Sequence, residues 1–252
     1  MTNEPTACRI LIVEDDEGSR VNLSRALEGL GHHTVATTER DEALARQDFD
    51  QFDLIISDLA TNPDAKTEVI RSFKMGAASD KIRREPSALH AIIHRTLSLR
   101  LQRLDEGSER VEHVREKIDL ELPSDLSLMN IVLEYLLDRV AGLGMIEIEQ
   151  SNLFVALDEA FVNAVKHGNR NDPTKLLRVT AELSAHEAAF TVEDEGDGFD
   201  VREIPDPRDP ANLFKSNGRG VLLIYNIMDE VEYSRGGAKL KMVKRPNGTT
   251  SV

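Results

Sequence analysis

Cysteine is almost missing from this chain, because Cys8 is the only one among 252 residues. A single cysteine excludes an internal disulfide and is typical of proteins from reducing compartments. Cys8 precedes an apolar strand pattern, which favours a small packed side chain. The sequence therefore indicates no redox role.

Long apolar runs are also missing. The run from Ile10 to Val13 stops at acidic residues, so it lacks the apolar core of a signal peptide. No other run approaches the roughly 20 apolar residues that a bilayer requires. We therefore expect a cytoplasmic protein without a membrane-spanning segment.

Positive charge is scarce as well. The chain has 31 Lys and Arg but 45 Asp and Glu, so its formal net charge is −14. Such a surface repels nucleic acid and anionic membranes, so we expect neither as a partner. The 40% hydrophobic content and the length suit a folded protein of two domains.

Strand and helix patterns alternate in the first part of the chain. The segments RILIV, HTVATT and FDLIIS predict strands, and residues 18–30 and RDEALARQDF predict helices between them. The mostly apolar first strand is typical of a buried parallel sheet. The predicted order is βαβαβ, and acidic residues follow the first and third strands.

RILIVEDDE and FDLIISDL resemble the CheY-like receiver domain of response regulators. The resemblance implies a two-component phosphorelay with an upstream histidine kinase and Asp58 as phosphoacceptor. It also implies Mg²⁺ bound by Glu14, Asp15 and Asp58, whose oxygens suit that ion. The alternative is that these acidic residues only cap buried strands.

After Asp58 the chain lacks a segment that receiver domains have. Only 17 residues separate Asp58 from Gly76, too few for the third helix, fourth strand and fourth helix. The stretch from Val69 onward resembles the end of a receiver, from its fourth helix. We therefore expect an α/β receiver-like domain whose parallel sheet is shortened because the fourth strand is absent. Glu85 precedes Pro86 where the family has lysine.

Residues 87–117 predict a helix that becomes increasingly charged and continues into a connector, with Gly107 and Ser108 as an interruption. A coiled-coil dimer seam is the open alternative for this stretch. We assign residues 1–100 to the receiver-like domain, 101–116 to a helical connector and 117–252 to a second domain.

The second domain has an α+β pattern. KIDLEL predicts a strand and LSLMNIVLEYLLDRVAGLG a helix, and LLRVTAEL and AAFTVEDEG predict antiparallel neighbours. GRGVLLIYNIM predicts a helix that begins at glycine. The last strands form a predicted hairpin with Gly236 and Gly237 at its turn.

Three motifs follow one another in this domain. DEAFVNAVKHGN places Glu159, Asn163 and His167 four residues apart, on one side of a helix. DEGDGF and NGRGV are rich in glycine, which permits a close approach of backbone to ligand, and the second opens a helix suited to a phosphate. Singly, each motif is typical of a solvated helix face, a turn or a cap.

In this order the motifs resemble the asparagine box and two glycine boxes of the Bergerat-fold, or GHKL, ATPases. The resemblance covers about residues 117 to 246 and implies a two-layer, histidine-kinase-like α+β fold that binds ATP and Mg²⁺. Asn163 matches the Mg²⁺ ligand and Asp194 the acid that accepts from the adenine amino group. The other nucleotide-binding residues that it implies are Lys166, His167, Gly196, Gly198, Gly218, Arg219 and Gly220.

LDEAFVNAVKHGN and GRGVLLIYNIMDEV look like the anti-sigma-factor serine kinase branch of this superfamily. That resemblance implies a homodimeric serine/threonine kinase with Glu159 as general base. Its partners are then a small anti-sigma antagonist, a sigma factor, or both, and the receiver-like domain modulates it.

Two alternatives stay open. One is a non-catalytic nucleotide-binding module that sequesters a sigma factor or another regulator. The other is an atypical histidine kinase, although His90, His94 and His113 lack the acidic residue that usually follows a phosphorylated histidine.

Overall fold

The computed structural model describes residues 7–64, 68–83, 86–106, 114–145, 152–198 and 219–246. The chain divides into two compact units, residues 1–123 and 124–252. Within the described ranges, no helix combines the length and the apolar character needed to cross a membrane.

The first unit is built on five strands in the order β2-β1-β3-β4-β5. The first strands and helices are β1 (Arg9–Glu14), α1 (Glu17–Glu28), β2 (His33–Thr37), α2 (Arg40–Leu44) and β3 (Leu54–Asp64). They are followed by β4 (Glu68–Ala77), α3 (Asp80–Arg83), α4 (Pro86–Glu106) and β5 (Val114–Pro123). A single 3-10 turn, Phe49–Gln51, precedes β3.

The predicted βαβαβ order is confirmed, because β1 pairs in parallel with both β2 and β3. Apolar side chains explain why β1 is an interior strand with a neighbour on each side: Ile10, Leu11 and Ile12 are all fully buried. Asp16 begins α1 by accepting a hydrogen bond from the Ser19 N–H at 2.7 Å, as an N-cap does.

The expectation for residues 69–77 was wrong. These residues resemble the start of a receiver's fourth helix, but they form β4, which pairs antiparallel with β3 and in parallel with β5. The sheet of the first unit is therefore mixed, not a shortened parallel sheet. Alternating burial of Phe73, Met75 and Ala77 fits a strand better than a helix.

The structure differs in part from the helical connector predicted for residues 101–116. Helix α4 continues to Glu106, as expected, but residues 114–116 belong to β5. The inward alternation predicted for β5 is confirmed, because Ile118, Leu120 and Leu122 are buried. The boundaries between domains at residues 100 and 117 stay predictions.

The second unit has a four-stranded antiparallel order, β6-β7-β9-β8. Its helices are α5 (Leu126–Gly142), α6 (Leu153–Val162) and α7 (Arg219–Ile227). Its strands are β6 (Leu176–Leu183), β7 (Ala188–Asp194), β8 (Glu230–Ser234) and β9 (Lys239–Lys244).

The predicted antiparallel pair β6-β7 and the hairpin β8-β9 are both confirmed. The hairpin turns at Gly236 and Gly237, which both have positive φ. Helix α6 packs against both α5 and α7. This packing brings the first and third motifs together.

Candidate functional site

The helix of the first motif changes its winding at Asn163. Helix α6 ends at Val162, and Asn163–Gly168 continue as a π-helical segment. The Asn169 N–H donates to the carbonyl of Ala164 at 2.8 Å, which spans five residues. Single π-turns inside helices occur frequently at functional sites. Lys166 and His167, beyond the change, are exposed.

Glu159 and Asn163 both face the first turn of α7. A Cβ atom added to Gly220 would overlap Oε2 of Glu159 and lie 3.7 Å from Nδ2 of Asn163. Only glycine therefore lets the start of α7 approach these two side chains this closely. The first turn of a helix presents unpaired N–H groups and a positive dipole end, which suit an anion.

The amide of Asn163 has unused hydrogen-bonding capacity. Its Nδ2 is buried and has no hydrogen-bond partner among the described residues. A buried polar atom without a partner costs free energy unless a ligand or water supplies one. Asn163 therefore fits a site that receives a polar ligand with an acceptor atom, such as a phosphate oxygen.

Asp194 ends β7 and is buried. Its carboxylate accepts a hydrogen bond from the Gly196 N–H at 2.8 Å, and its own N–H donates to the Ala238 carbonyl at 3.0 Å. Burial raises the pKa of Asp194 above its ordinary value, although the Gly196 hydrogen bond and the positive charge of Lys175 and Arg235 oppose the rise.

The backbone around Asp194 is closely packed. A Cβ atom on Gly168 would overlap the carboxyl group of Asp194, and one on Gly196 would overlap the carbonyl of Gly168. Gly198 has a φ of +72° and lies against the carbonyl of Gly236. The end of the first motif and the second motif therefore meet through glycine backbone.

Asn169 holds this meeting point together, and the sequence analysis did not identify it. It is fully buried, its Nδ2 donates to the Leu176 carbonyl at 2.9 Å, and its Oδ1 accepts from the Glu195 N–H at 2.8 Å. It thus joins the π-helical segment to the start of β6 and the end of β7. The only local signal is an asparagine after a glycine at a helix end, which is typical of an ordinary cap.

Some of the expected residues lie outside the described part of the chain. These are Gly218, the loop at 199–217 and the side chain of Arg219. His113 also lies outside it. Of the other histidines considered, His90 is half-buried and His94 exposed on α4.

The acidic residues of the first unit that were predicted to bind Mg²⁺ lie at the end of β1 and at the paired position on β3. Glu14 and Asp58 are neighbours across β1 and β3 and are buried, whereas Asp15 is exposed. Burial raises the pKa of Glu14 to about 7; Asp58 adds to the rise and Arg103 opposes it. The described residues contain no group of three His, Cys, Asp or Glu side chains placed to hold a metal ion.

Comparison with known proteins agrees with the geometry of the second unit. Residues 122–244 match the family model of the histidine kinase-like ATPase domain. This range contains Glu159, Asn163, Asp194 and both glycine motifs, so the expected ATPase-type domain is confirmed. The match does not extend to residues 1–121.

Two relatives carry the same name, serine-protein kinase RsbW. The Staphylococcus epidermidis protein is 28% identical over 145 residues, which cover 53% of this chain and 89% of the relative. The protein from Staphylococcus aureus strain MSSA476 is 28% identical over 138 residues, which cover 50% of this chain and 85% of the relative.

Proposed function

We propose that this chain is an ATP-dependent protein serine/threonine kinase that phosphorylates a small antagonist protein of the anti-sigma type. The observation that carries the proposal is the placement of Glu159 and Asn163 against Gly220, at the positive end of α7. The ATPase family match and the names of the relatives support the kinase class.

The nucleotide lies between the π-helical segment and the glycine motifs. Asp194 accepts a hydrogen bond from the adenine amino group, and Gly196 and Gly198 provide backbone beneath the base. The support is that Asp194 is a buried carboxylate held in place by backbone hydrogen bonds at a strand end. A pocket with such a fixed acceptor distinguishes adenine from bases that lack the amino donor.

The phosphates lie toward α7. The family resemblance assigns Gly218, Arg219 and Gly220 to them, and the exposed Lys166 and His167 would add donors from the π-helical segment. Asn163 would hold Mg²⁺ through its side-chain oxygen, a ligand of the kind that ion prefers. Bound Mg²⁺ neutralises charge on the phosphates. The partnerless Nδ2 of Asn163 supports a polar ligand at this point.

Glu159 acts as the general base. Its carboxylate takes the proton of the substrate serine or threonine while that oxygen attacks the γ-phosphorus, and the bond to the bridging oxygen breaks to release ADP. Glu159 lies on α6, four residues before Asn163 at the start of the π-helical segment, and both side chains lie against Gly220.

The partners follow from the resemblance to the anti-sigma kinases. The substrate is a small antagonist protein, a sigma factor is the second partner, and the kinase works as a cytoplasmic homodimer. The first unit is a receiver-like domain that modulates the kinase. The parallel order β2-β1-β3, with Glu14 and Asp58 at adjacent strand positions, supports a receiver-like origin.

Transfer of labelled phosphate tests the base assignment. The full chain with Mg²⁺, labelled ATP and the antagonist encoded beside it should label serine or threonine of the antagonist. Glu159→Gln should lower the transfer rate about a hundredfold or more, the usual contribution of a general base, while nucleotide affinity is retained.

Glu134→Gln is the matched control, because Glu134 is exposed on α5. Transfer by Glu159→Gln at the wild-type rate would remove the base assignment. A stable complex with a sigma factor but no transfer would favour the sequestering module. Acid-labile label on the chain itself would favour the histidine kinase.

A further inference from the structure

Two carboxylates meet at adjacent strand ends in the first unit. Glu14 of β1 and Asp58 of β3 are direct neighbours in the sheet, and their side chains are 5% and 8% exposed. Two ionised carboxylates so close together and so little hydrated repel each other. They require a compensating cation, which in the receiver resemblance is Mg²⁺.

In this structure that cation is a guanidinium group. Nη1 of Arg103 lies 3.0 Å from both carboxylate oxygens of Glu14, and its Nη2 lies 2.6 Å from Oδ2 of Asp58. One arginine side chain therefore bridges the two strands. A guanidinium can do this because its donors form a rigid planar fork.

A second arginine completes the network. Nε of Arg100 lies 2.9 Å from the same Oδ2 of Asp58, and its Nη2 lies 2.9 Å from Oε1 of Glu116 on β5. Its guanidinium carbon also lies 4.6 Å above the ring of Phe73 on β4. Arg100 and Arg103 are three residues apart on α4, so one face of this helix supplies both cations.

The carboxylates of Glu14 and Asp58 have free space beside them. A cavity of about 290 Å³ adjoins the cluster, and its lining includes Glu14, Asp58 and both arginines. There is therefore space beside the carboxylates, but both oxygens of Glu14 and Oδ2 of Asp58 already accept from arginine. A receiver-type Mg²⁺ site does not fit these side chains.

We propose that Arg100 and Arg103 are permanent counter-cations of this carboxylate pair, so that the first unit works without bound Mg²⁺ and Asp58 is a structural anion, not a phosphoryl acceptor. Through these ion pairs the two arginines hold α4 against the end of β1, against β3 and against β5. Any signal through this unit then reaches it by a route other than phosphorylation of Asp58.

Removal of one cation should create the metal site that the wild type lacks. In the full chain without nucleotide, and with Asn163→Ala present throughout to silence the second unit, Arg103→Met should bind Mn²⁺ at least about tenfold more tightly, a difference of about 1.4 kcal/mol. Arg95→Met, an exposed arginine of the same helix, is the matched control and should match wild type.

The same variants test the pairing by stability. Arg103→Met should lower the urea midpoint, and adding Asp58→Asn should recover much of that loss, because the buried anion left without its partner is then removed. Arg95→Met should shift the midpoint little. Strictly additive losses in the double variant would overturn the proposal.

A chemical test addresses Asp58 directly. Acetyl phosphate with Mg²⁺ should leave the wild type without hydroxylamine-sensitive label. Label that appears on the wild type and disappears in Asp58→Asn would overturn the proposal, as would tight Mn²⁺ binding by the wild type. Neither measurement uses ATP or the antagonist, so a failed kinase assay leaves the result intact.

Discussion

At the scale of single residues, the proposed adenine-binding carboxylate Asp194 lowers the stability of the fold. Its carboxylate is buried, and its pKa is raised because burial disfavours the ionised form more than the Gly196 hydrogen bond and the nearby positive charges favour it. The folded state therefore binds this proton more tightly than the unfolded state does. At neutral pH, an ionised Asp194 lowers the free energy of unfolding.

Asp194→Asn should consequently stabilise the protein at neutral pH while it weakens nucleotide binding. An amide oxygen can still accept from the Gly196 N–H, but a hydrogen bond from adenine to a neutral acceptor is weaker than one to a carboxylate. We expect affinity to fall about tenfold to a hundredfold, as for the loss of a charge-assisted bond.

The gain in stability should depend on pH with a defined sign. It should be largest above the folded-state pKa of Asp194 and vanish as pH falls toward the ordinary aspartate value, where wild type is also protonated. Urea midpoints of both proteins across acidic and neutral pH measure this difference. Asp229→Asn, an exposed carboxylate at the start of the final hairpin, is the control. A gain that grows toward acid would contradict the assignment.

At the scale of secondary-structure elements, the decisive feature is the π-helical segment Asn163–Gly168. Sequence spacing predicts one regular helix with Glu159, Asn163 and His167 in a stripe. The change of winding keeps the first two together, leaves His167 exposed, and brings Gly168 against the carboxyl group of Asp194. The segment thus connects the first motif to the second.

Gly168→Ala should disturb this connection. The added methyl group has no room beside the Asp194 carboxyl group, so Asp194 or the segment must move. We expect a loss of about tenfold or more in nucleotide affinity, since misplacing a binding group by about 1 Å is costly. Calorimetric titration of Mg·ATP measures it.

Gly142→Ala is the matched control for that variant. Gly142 is exposed near the end of α5, and an added Cβ would meet only the flexible end of Arg139 at 3.3 Å. This variant should bind nucleotide as wild type does. Equal affinity in Gly168→Ala and wild type would show that Asp194 does not need its present position.

At the scale of the whole molecule, the two compact units should respond differently to nucleotide. Mg·ATP at about 100 times its dissociation constant should stabilise the folded unit that binds it by about 2.7 kcal/mol. Hydrogen exchange of the full chain should show protection in residues 152–198. Asn163→Ala should abolish the Mg²⁺-dependent part of this protection.

The controls for that experiment are built into the chain. Asn130→Ala, an exposed asparagine on α5, should keep the wild-type response. Mg²⁺ alone should leave the exchange of β1 and β3 unchanged, since arginines neutralise their carboxylates. Protection that is independent of Mg²⁺ in the wild type would argue against Asn163 as the metal ligand.

The sequence by itself determined the order of most elements and the three motifs of the second unit. Apolar periodicity identifies α5, β6 and β7 because each buries one local face. Glu159 and Asn163 were found because their spacing on one helix is local information. Glycine motifs are equally visible, since glycine marks backbone that must turn or approach closely.

Only the tertiary structure decided the rest. Residues 68–77 carry a pattern that suits a short helix or a strand, and pairing with β3 and β5 selects the strand. Asn169 acts through partners on β6 and β7. Glu85 stands where the receiver resemblance has a lysine, while Arg100 and Arg103 supply positive charge from 42 and 45 positions beyond Asp58. Such contacts depend on chain folding over long sequence distances, which no local pattern records.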